Sequence, residues 1–341
     1  MLDVLLEYGL FLAQAVTIVL AIGAIVLIIA VAARKSQGTD DAIEVTRLND
    51  RFDELSLPLK MAAMPAKSFK AQMKSERKAR KAKSKKAEDS DRPRVYVLDF
   101  KGDMRASGGA GLREEISAII GFASAGEQVL LRLENAGGTV QDHGLAASQL
   151  ARLKEHGLQL TIAVDKVAAS GGYMMACIAD HILAAPFAVL GSIGVLAQVP
   201  NVNRLLEGHG VDVEMFKGGE FKRTITMLGK NTDADRQKFQ SEIDEVHHLF
   251  KQFVGEHRPQ LDLEKVTTGE HWFGRDALAL KLCDAISTSD DWLMARRKDA
   301  DLLQVNFRHR EPLAKRLGVA ISNAPARVVE RLLQKSWESR F

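Results

Sequence analysis

The chain has 341 residues, of which 46% are apolar, so it can bury the core of one large domain or of two small ones. Its 47 basic and 44 acidic side chains nearly balance, which argues against a protein built as a whole to bind nucleic acid. The two cysteines, Cys177 and Cys283, form neither a C-x-x-C nor a zinc spacing. We therefore expect no disulfide framework and predict that both thiols are small buried groups.

The N-terminal region contains an uncharged apolar segment, residues 8–33, which exceeds the roughly 20 residues needed to cross a bilayer core. A cleaved signal peptide would instead show a basic start and an apolar core of about 7–15 residues. The residues before the segment include Asp3 and Glu7 and no lysine or arginine. We therefore expect residues 1–33 to form a retained transmembrane anchor with a single pass.

Residues 34–93 are polar and show no sustained periodicity, which predicts a linker. Ten of the twenty residues 67–86 are lysine or arginine. Such a run either attracts anionic lipid headgroups, at about 1 kcal/mol per charge near a membrane, or is a solvated and self-repelling segment; the composition slightly favours the second. Because aromatic residues are not interleaved among the charges, no nucleic-acid partner is expected.

From residue 94 onward, short apolar runs rich in β-formers alternate with helical patterns. The predicted strands are 94–100, 128–134, 158–165, 181–185 and 211–216. Strands that alternate with helices about every 25–30 residues indicate βαβ units. The sequence therefore predicts an α/β fold whose sheet is mostly parallel and covered on both faces.

A long amphipathic helix is predicted from Asp233, because Thr232 and Asp235 form a capping-box pattern. Apolar residues then repeat on one face, at Phe239, Ile243, Val246, Phe250 and Phe253.

The segment 182–200 contains no charged residue, so a second membrane span is an alternative interpretation of it. Proline and glycine residues divide it into runs of strand length, at Pro186, Gly191, Gly194 and Pro200. We expect a buried strand followed by a loop.

The segment 167–176, VAASGGYMMA, carries the candidate nucleophile Ser170 in a turn of small residues between a predicted strand and an apolar helix. The G-x-S-x-G elbow is not matched, because Ala168 occupies the first glycine position, and no lysine follows three residues on. His143 and His156 are expected at exposed helix positions. A Ser-His-Asp triad is thus without support, and residue spacing alone assigns no base.

Four motifs in order resemble the signal peptide peptidase A family of membrane serine proteases, and within it the SohB-like branch. They are LENAGG at 133–138, VAASGGYMMA at 167–176, PFAVLGSIGV at 186–195 and KGGEFKR at 217–223. The resemblance implies a ClpP/crotonase-like spiral of βαβ units. With the N-terminal segment it divides the chain into a transmembrane anchor at 1–33, a polar basic linker at 34–93, a serine protease domain at 94–290 and a C-terminal helical extension at 291–341.

By this resemblance, Ser170 is the nucleophile and Lys222, in the sequence GEFK, is the general base. A lysine acts as a base only when its amine is neutral, and a free lysine has a pKa of about 10.4, so such a base must be buried in an apolar site. Phe221 and the glycine pair at 218–219 would suit such a pocket. Without the motif, the same residue would be predicted as a surface lysine beside Arg223.

The resemblance also implies that Ser192, in GSIG, orients the lysine. It further implies that the backbone N–H groups of Gly137, Gly138 and Gly171 form the oxyanion hole, in which a donor typically contributes about 3–4 kcal/mol. Residues 135–136 read Asn-Ala where the family more usually has Ser-Pro, so the better donor in this loop is left open.

The sequence thus predicts a membrane-anchored serine endopeptidase that cleaves peptides or membrane and signal-peptide-like fragments through an acyl-enzyme, with no metal or cofactor. Two alternatives stay open. A crotonase-fold acyl-CoA enzyme would leave Ser170 without a role, and a catalytically inactive membrane scaffold would not need it.

The expected partners are peptide or protein substrates, the lipid bilayer of a bacterial inner membrane, and identical subunits in a homo-oligomeric ring with shared active sites. Arg34 and Lys35 after the apolar segment favour a cytoplasmic catalytic domain, whereas the family resemblance favours a periplasmic one; the side stays open. The tail from Pro312 reads as basic amphipathic helices that either pack on the ring or lie on a membrane.

Overall fold

A computed structural model describes residues 9, 12–21, 23, 42–86 and 92–308. The chain divides into a compact unit, Ile43–Asn306, and a second unit formed by Met1–Ala42 and Phe307–Phe341, in which residues 12–21 are helical. Most of the predicted anchor and the tail from Pro312 lie outside the described residues. Within the described ranges, no helix combines the length and apolarity that crossing a bilayer requires.

The larger unit is built from short strands and helices in alternation. The described strands in chain order are β1 (Ala42–Arg47), β2 (Arg94–Lys101), β3 (Gln128–Glu134), β4 (Gln159–Val164), β5 (Val167–Ala169), β6 (His181–Ala184), β7 (Val189–Gly191), β8 (His271–Phe273), β9 (Ala285–Ile286) and β10 (Asp301–Arg308). Its helices are α1 (Leu48–Ala63), α2 (Ala66–Lys86), α3 (Gly109–Phe122), α4 (Val140–Glu155), α5 (Gly171–Ala176), α6 (Asn203–Gly208), α7 (Asp233–His257), α8 (Leu263–Val266), α9 (Gly274–Ala279) and α10 (Ser289–Arg296).

Seven strands form the main sheet in the order β1-β10-β2-β3-β4-β6-β9, and its neighbouring strands from β10 to β9 are parallel. A smaller sheet has the order β5-β7-β8, with β5 and β7 parallel and β8 antiparallel. The predicted α/β fold with a mostly parallel sheet is confirmed.

Both faces of the central strands are buried, which explains why these strands read as continuous apolar runs. Leu98 of β2 lies in register with Leu131 of β3, which lies in register with Ile162 of β4. These three belong to a large core cluster with α3, α4, α5 and α7. Their neighbour Val97 faces the other way, into a second cluster with Leu293 of α10. Each fully buried side chain of this kind contributes roughly 1.5–3 kcal/mol.

The capping box that begins α7 is present, because Thr232 and Asp235 exchange backbone and side-chain hydrogen bonds, and Phe250 on the predicted apolar face is buried.

The strand predicted at 211–216 is wrong: those residues form no strand and are all exposed. No strand among the described residues pairs with this alternating segment. Segment 182–200 holds β6, β7 and an irregular loop, and the predicted linker contains β1, α1 and α2.

The loops after β2, β3 and β4 meet at one edge of the sheet. Asn135, which follows β3, forms a parallel bridge with Ala168 of β5, and Gly102, which follows β2, donates its N–H to the carbonyl of Glu134. The carboxyl ends of parallel strands are where α/β proteins place their binding sites.

Candidate active site

Ser170 occupies a sharp turn between β5 and α5. Its φ of 53° and ψ of −120° are unusual for a residue with a side chain, and such a conformation costs on the order of 1–3 kcal/mol. The Ser170 N–H donates to the carbonyl of Gly191 at 2.8 Å, and its carbonyl accepts from the N–H groups of Tyr173 and Met174. Ser170 is partly exposed, whereas every residue of α5 is buried. The turn therefore presents one hydroxyl at the edge of a rigid core.

Gly137 lies directly against this turn. A Cβ atom built on Gly137 would lie 2.8 Å from Cβ of Ser170 and 2.9 Å from the backbone nitrogen of Gly171. Its φ of +93° is also one that favours glycine. The structure thus brings together three residues that the sequence predicted to share a site: Ser170, Gly137 and Gly171.

The backbone N–H groups near Ser170 differ in what they bind. The N–H of Gly137 donates to Oδ1 of Asn135 at 2.8 Å, so it is engaged within the loop. Neither the N–H of Gly138 nor that of Gly171 donates to another described residue. Gly138 also packs closely on the preceding loop, where a Cβ atom would lie 2.1 Å from the carbonyl oxygen of Met104. Gly138 and Gly171 therefore each hold a donor without an acceptor among the described residues.

Ser192 directly follows β7, the strand that is hydrogen-bonded to the nucleophile turn. Gly191 of β7 is in register with Ala169 of β5, and its carbonyl accepts the Ser170 N–H. Ser192 itself has a φ of 52°, and its N–H donates to the carbonyl of Glu270 at 2.6 Å. The two serines of the predicted site thus follow paired residues of neighbouring strands.

Lys222 lies in an irregular segment in which every residue from 209 to 223 is exposed. Its backbone N–H donates to the carbonyl of Gly219. The ammonium nitrogen of Lys238 lies 5.3 Å from the centre of the ring of Phe221, the residue before Lys222. No hydrogen bond or ion pair within the described part of the chain joins Lys222 to Ser170 or Ser192. The apolar pocket expected around Lys222 is not formed within one chain.

His143 was expected to be exposed, and that prediction is wrong: the side chain is 0% exposed. Its ring packs against the nucleophile turn, because a Cβ atom on Gly171 would lie 2.5 Å from Cγ of His143. The sequence did contain a signal for this burial. Positions 146, 147 and 150 follow at helical spacing on the same face of α4, and all three hold buried apolar residues.

The two cysteines are buried and free, as predicted. Burial raises the pKa of the Cys283 thiol to about 11 and raises that of Cys177 further, so both remain protonated thiols rather than nucleophiles. Within the described residues, no cluster of three His, Cys, Asp or Glu side chains is arranged to hold a metal ion.

Two family descriptions match the sequence in succession: "Peptidase family S49 N-terminal" over residues 3–150 and "Peptidase family S49" over residues 152–303. The probable protease SohB of Haemophilus influenzae is 48% identical, over 98% of this chain and 97% of that relative. The chain belongs to peptidase family S49, in its SohB branch. A second relative, the probable protease SohB of Buchnera aphidicola, is 42% identical over 94% of this chain and 95% of its own length. The resemblance deduced from the four motifs is confirmed.

Two solved structures of a membrane-bound stomatin-specific protease are also similar in fold. One is 12% identical with a TM-score of 0.38, covering 61% of this chain and 86% of its own. The other, solved in complex with a substrate peptide, is 13% identical with a TM-score of 0.38, covering 60% and 80%.

The S49 assignment divides the candidate site between the two matched regions. Gly137 and Gly138 lie in the N-terminal region, whereas Ser170, Ser192 and Lys222 lie in the second. The loop after β3 joins them through the bridge of Asn135 to β5.

Proposed function

We propose that this S49 protein is a serine endopeptidase in which Ser170 attacks the peptide carbonyl and forms an acyl-enzyme. One observation carries the proposal: a partly exposed serine in a strained strand–helix turn adjoins two backbone N–H groups, those of Gly138 and Gly171, that donate to no other described residue. A nucleophile beside uncommitted donors is the arrangement that stabilises the oxyanion of acyl transfer.

In this mechanism, Lys222 is the general base. Its neutral amine takes the proton of the Ser170 hydroxyl as Oγ bonds to the carbonyl carbon, and the N–H groups receive the negative oxygen. When the peptide C–N bond breaks, the lysine returns that proton to the leaving amine. Water then attacks the ester while the lysine takes a proton from it, and the lysine passes that proton to Oγ of Ser170 as the ester C–O bond breaks, which releases the carboxylic acid product and regenerates the serine. Ser192 orients the lysine, and no metal or cofactor takes part.

The exposure of Lys222 in a single chain leads us to propose that the active sites are shared in a homo-oligomeric ring. A base lysine must be desolvated, and the covering side chains would come from a neighbouring subunit. Exposed apolar side chains of the same unit support such contacts. Phe187, Leu196 and Phe216 are 84%, 87% and 90% exposed, and burying such side chains against a neighbouring subunit is favourable.

We propose further that residues 8–33 anchor the protein in a bacterial inner membrane by a single pass, and that the domain is a ClpP/crotonase-like spiral. The uncharged length of that segment supports the anchor. Its substrates would then be peptides or membrane and signal-peptide-like fragments. The side of the membrane that holds the catalytic domain stays open between the cytoplasm and the periplasm.

The test uses full-length protein in detergent, a fluorophosphonate probe and a fluorogenic peptide. We expect the wild type to be labelled at Ser170 and to hydrolyse the peptide, and Ser170→Ala to do neither. Lys222→Ala should lose turnover while keeping its fold by circular dichroism. Hydrolysis by Ser170→Ala at near wild-type rates would rule out the mechanism, and acyl-CoA binding in place of labelling would favour an acyl-CoA enzyme.

A further inference from the structure

We propose that His143 is a positioning residue of the oxyanion-binding loop and that it acts through the side chain of Asn135. The inference rests on the proposed function and adds to it a residue outside the four motifs. Both side chains are almost completely buried, with Asn135 1% and His143 0% exposed. Neither is expected to touch the substrate.

Asn135 determines the course of the loop. Its backbone N–H donates to the carbonyl of Val167 and its own carbonyl accepts from the N–H of Ala169, which fixes the start of the loop to β5. Its side-chain Oδ1 accepts the N–H of Gly137 at 2.8 Å. Because this bond turns the Gly137 N–H inward, the next N–H, that of Gly138, is left for an oxyanion.

The orientation of the Asn135 amide follows from its neighbours. Its oxygen must face the N–H of Gly137, since the opposite orientation would set two donors against each other. The same oxygen lies 3.2 Å from Nε2 of His143. Because this oxygen can only accept, a hydrogen on Nε2 is donated to Asn135.

The other ring nitrogen holds the far end of the loop. Nδ1 of His143 lies 2.8 Å from the carbonyl oxygen of Thr139. Both ring nitrogens thus face oxygen acceptors, at the first and last residues of the loop 135–139, and the ring makes both hydrogen bonds only as the imidazolium, in which each nitrogen carries a hydrogen. The same ring packs against Gly171, the second candidate donor. One buried ring contacts the supports of both N–H groups that would bind the oxyanion.

Such a bridge should affect the reaction more than substrate binding. Oxyanion donors must lie about 2.7–3.1 Å from the position that the charged oxygen will occupy, and a misplacement of about 1 Å can cost about a hundredfold in rate. Loss of the bond from His143 to Asn135 frees the amide to rotate and the Gly137–Gly138 peptide to move. We expect kcat to fall and KM to stay nearly constant.

Two substitutions at position 143 separate the two hydrogen bonds. In His143→Gln, the amide nitrogen is about as far from the backbone as Nε2, so it can donate to Asn135. In His143→Asn, the shorter amide can reach only the carbonyl of Thr139. A matched control is His156→Gln: His156 lies directly after the last residue of the same helix and makes the same local bond to the carbonyl four residues back, but its side chain is exposed.

The experiment measures kcat, KM, the second-order rate of fluorophosphonate labelling and the melting temperature of the full-length variants. We expect His143→Asn to lose about tenfold to a hundredfold in kcat and in labelling rate, and His143→Gln and the control to stay within about threefold of wild type. If His143→Asn is as active as His143→Gln, or if only the melting temperature changes, the positioning role is refuted. A wild type that is never labelled at Ser170 would refute the proposed function itself.

Discussion

Gly137 and Ser170 approach so closely that a Cβ atom on the glycine would lie 2.8 Å from the Cβ of the serine. The contact joins the loop after β3 to the nucleophile turn, and these two segments lie in different regions matched by the S49 family. The spacing leaves no room for a side chain between the nucleophile and the backbone proposed to bind the oxyanion.

The first prediction concerns Gly137→Ala. The added methyl would also meet the Ala169 carbonyl at 2.8 Å, so the loop must move away from Ser170. We expect fluorophosphonate labelling to fall at least a hundredfold, comparable to the loss of one oxyanion donor. Gly126→Ala is the matched control, because Gly126 has a similar φ of +87° but nothing within 4 Å of its Cβ position. A control that loses labelling equally would attribute the effect to backbone strain alone.

The second prediction separates strain from chemistry at Ser192, whose φ is 52°. Replacement by alanine removes the hydroxyl and keeps the strain, whereas replacement by glycine removes both. We expect both variants to lose peptide hydrolysis, because the lysine is no longer oriented. The glycine variant should be the more stable, by about 1 kcal/mol in urea unfolding, since only glycine adopts this φ freely. Full activity in Ser192→Gly would contradict the orienting role.

The third prediction concerns a buried ion pair that fastens α7 to the sheet. Arg258 donates two hydrogen bonds to the carboxylate of Asp284, at 2.9 and 2.8 Å, and Ile182 donates its N–H to the same group at 2.7 Å. Burial acts to raise the pKa of Asp284, but these donors outweigh it and lower the pKa below its ordinary value. Asp284→Asn leaves the Arg258 guanidinium without its anion, at a cost of about 3 kcal/mol.

The sign of the pH dependence follows from that lowered pKa. A carboxyl group whose pKa is lower in the folded chain stabilises the fold above its unfolded pKa of about 3.9, and this contribution is lost as the pH falls through the folded pKa. In urea unfolding at a series of acidic pH values, Asp284→Asn should therefore lose stability less steeply than wild type. The exposed pair Asp233 and Arg236 supplies the control, and Asp233→Asn should leave the profile nearly unchanged. Parallel profiles for Asp284→Asn and wild type would contradict the prediction.

The core of this fold could be read from the sequence because short apolar runs bury both faces of a parallel sheet, as for Leu98 and its neighbour Val97. The turn at Ser170 was predictable for a similar reason, since small residues stood between a strand and an apolar helix. The false strand at 211–216 shows where periodicity fails, because alternation produces a strand only when a neighbouring strand pairs with it.

The site was harder to predict than the fold because it depends on polar groups that satisfy one another across distant segments. His143 was placed on the surface by its polarity, although the apolar residues that follow it on α4 indicated a buried face. The engagement of the Gly137 N–H by Asn135 depends on a side-chain orientation that no spacing specifies. The surroundings of Lys222 depend on atoms outside its own chain, if the proposed ring is correct.

The last prediction tests that ring directly. If Ser170 of one subunit works with Lys222 of the next, an assembly that mixes Ser170→Ala and Lys222→Ala subunits contains some interfaces with both residues intact. When the two variants mix randomly in equal amounts, one interface in four has both an intact Ser170 and an intact Lys222. About a quarter of wild-type hydrolysis should therefore return. Each variant alone is expected to be inactive, and a mixture assembled from Ser170→Ala with Ser170→Ala/Lys222→Ala is the control that should stay so. If cross-linking shows mixed assemblies and hydrolysis is still absent, both residues of a working site lie within one chain. The side chains that cover Lys222 would then have to come from that same chain.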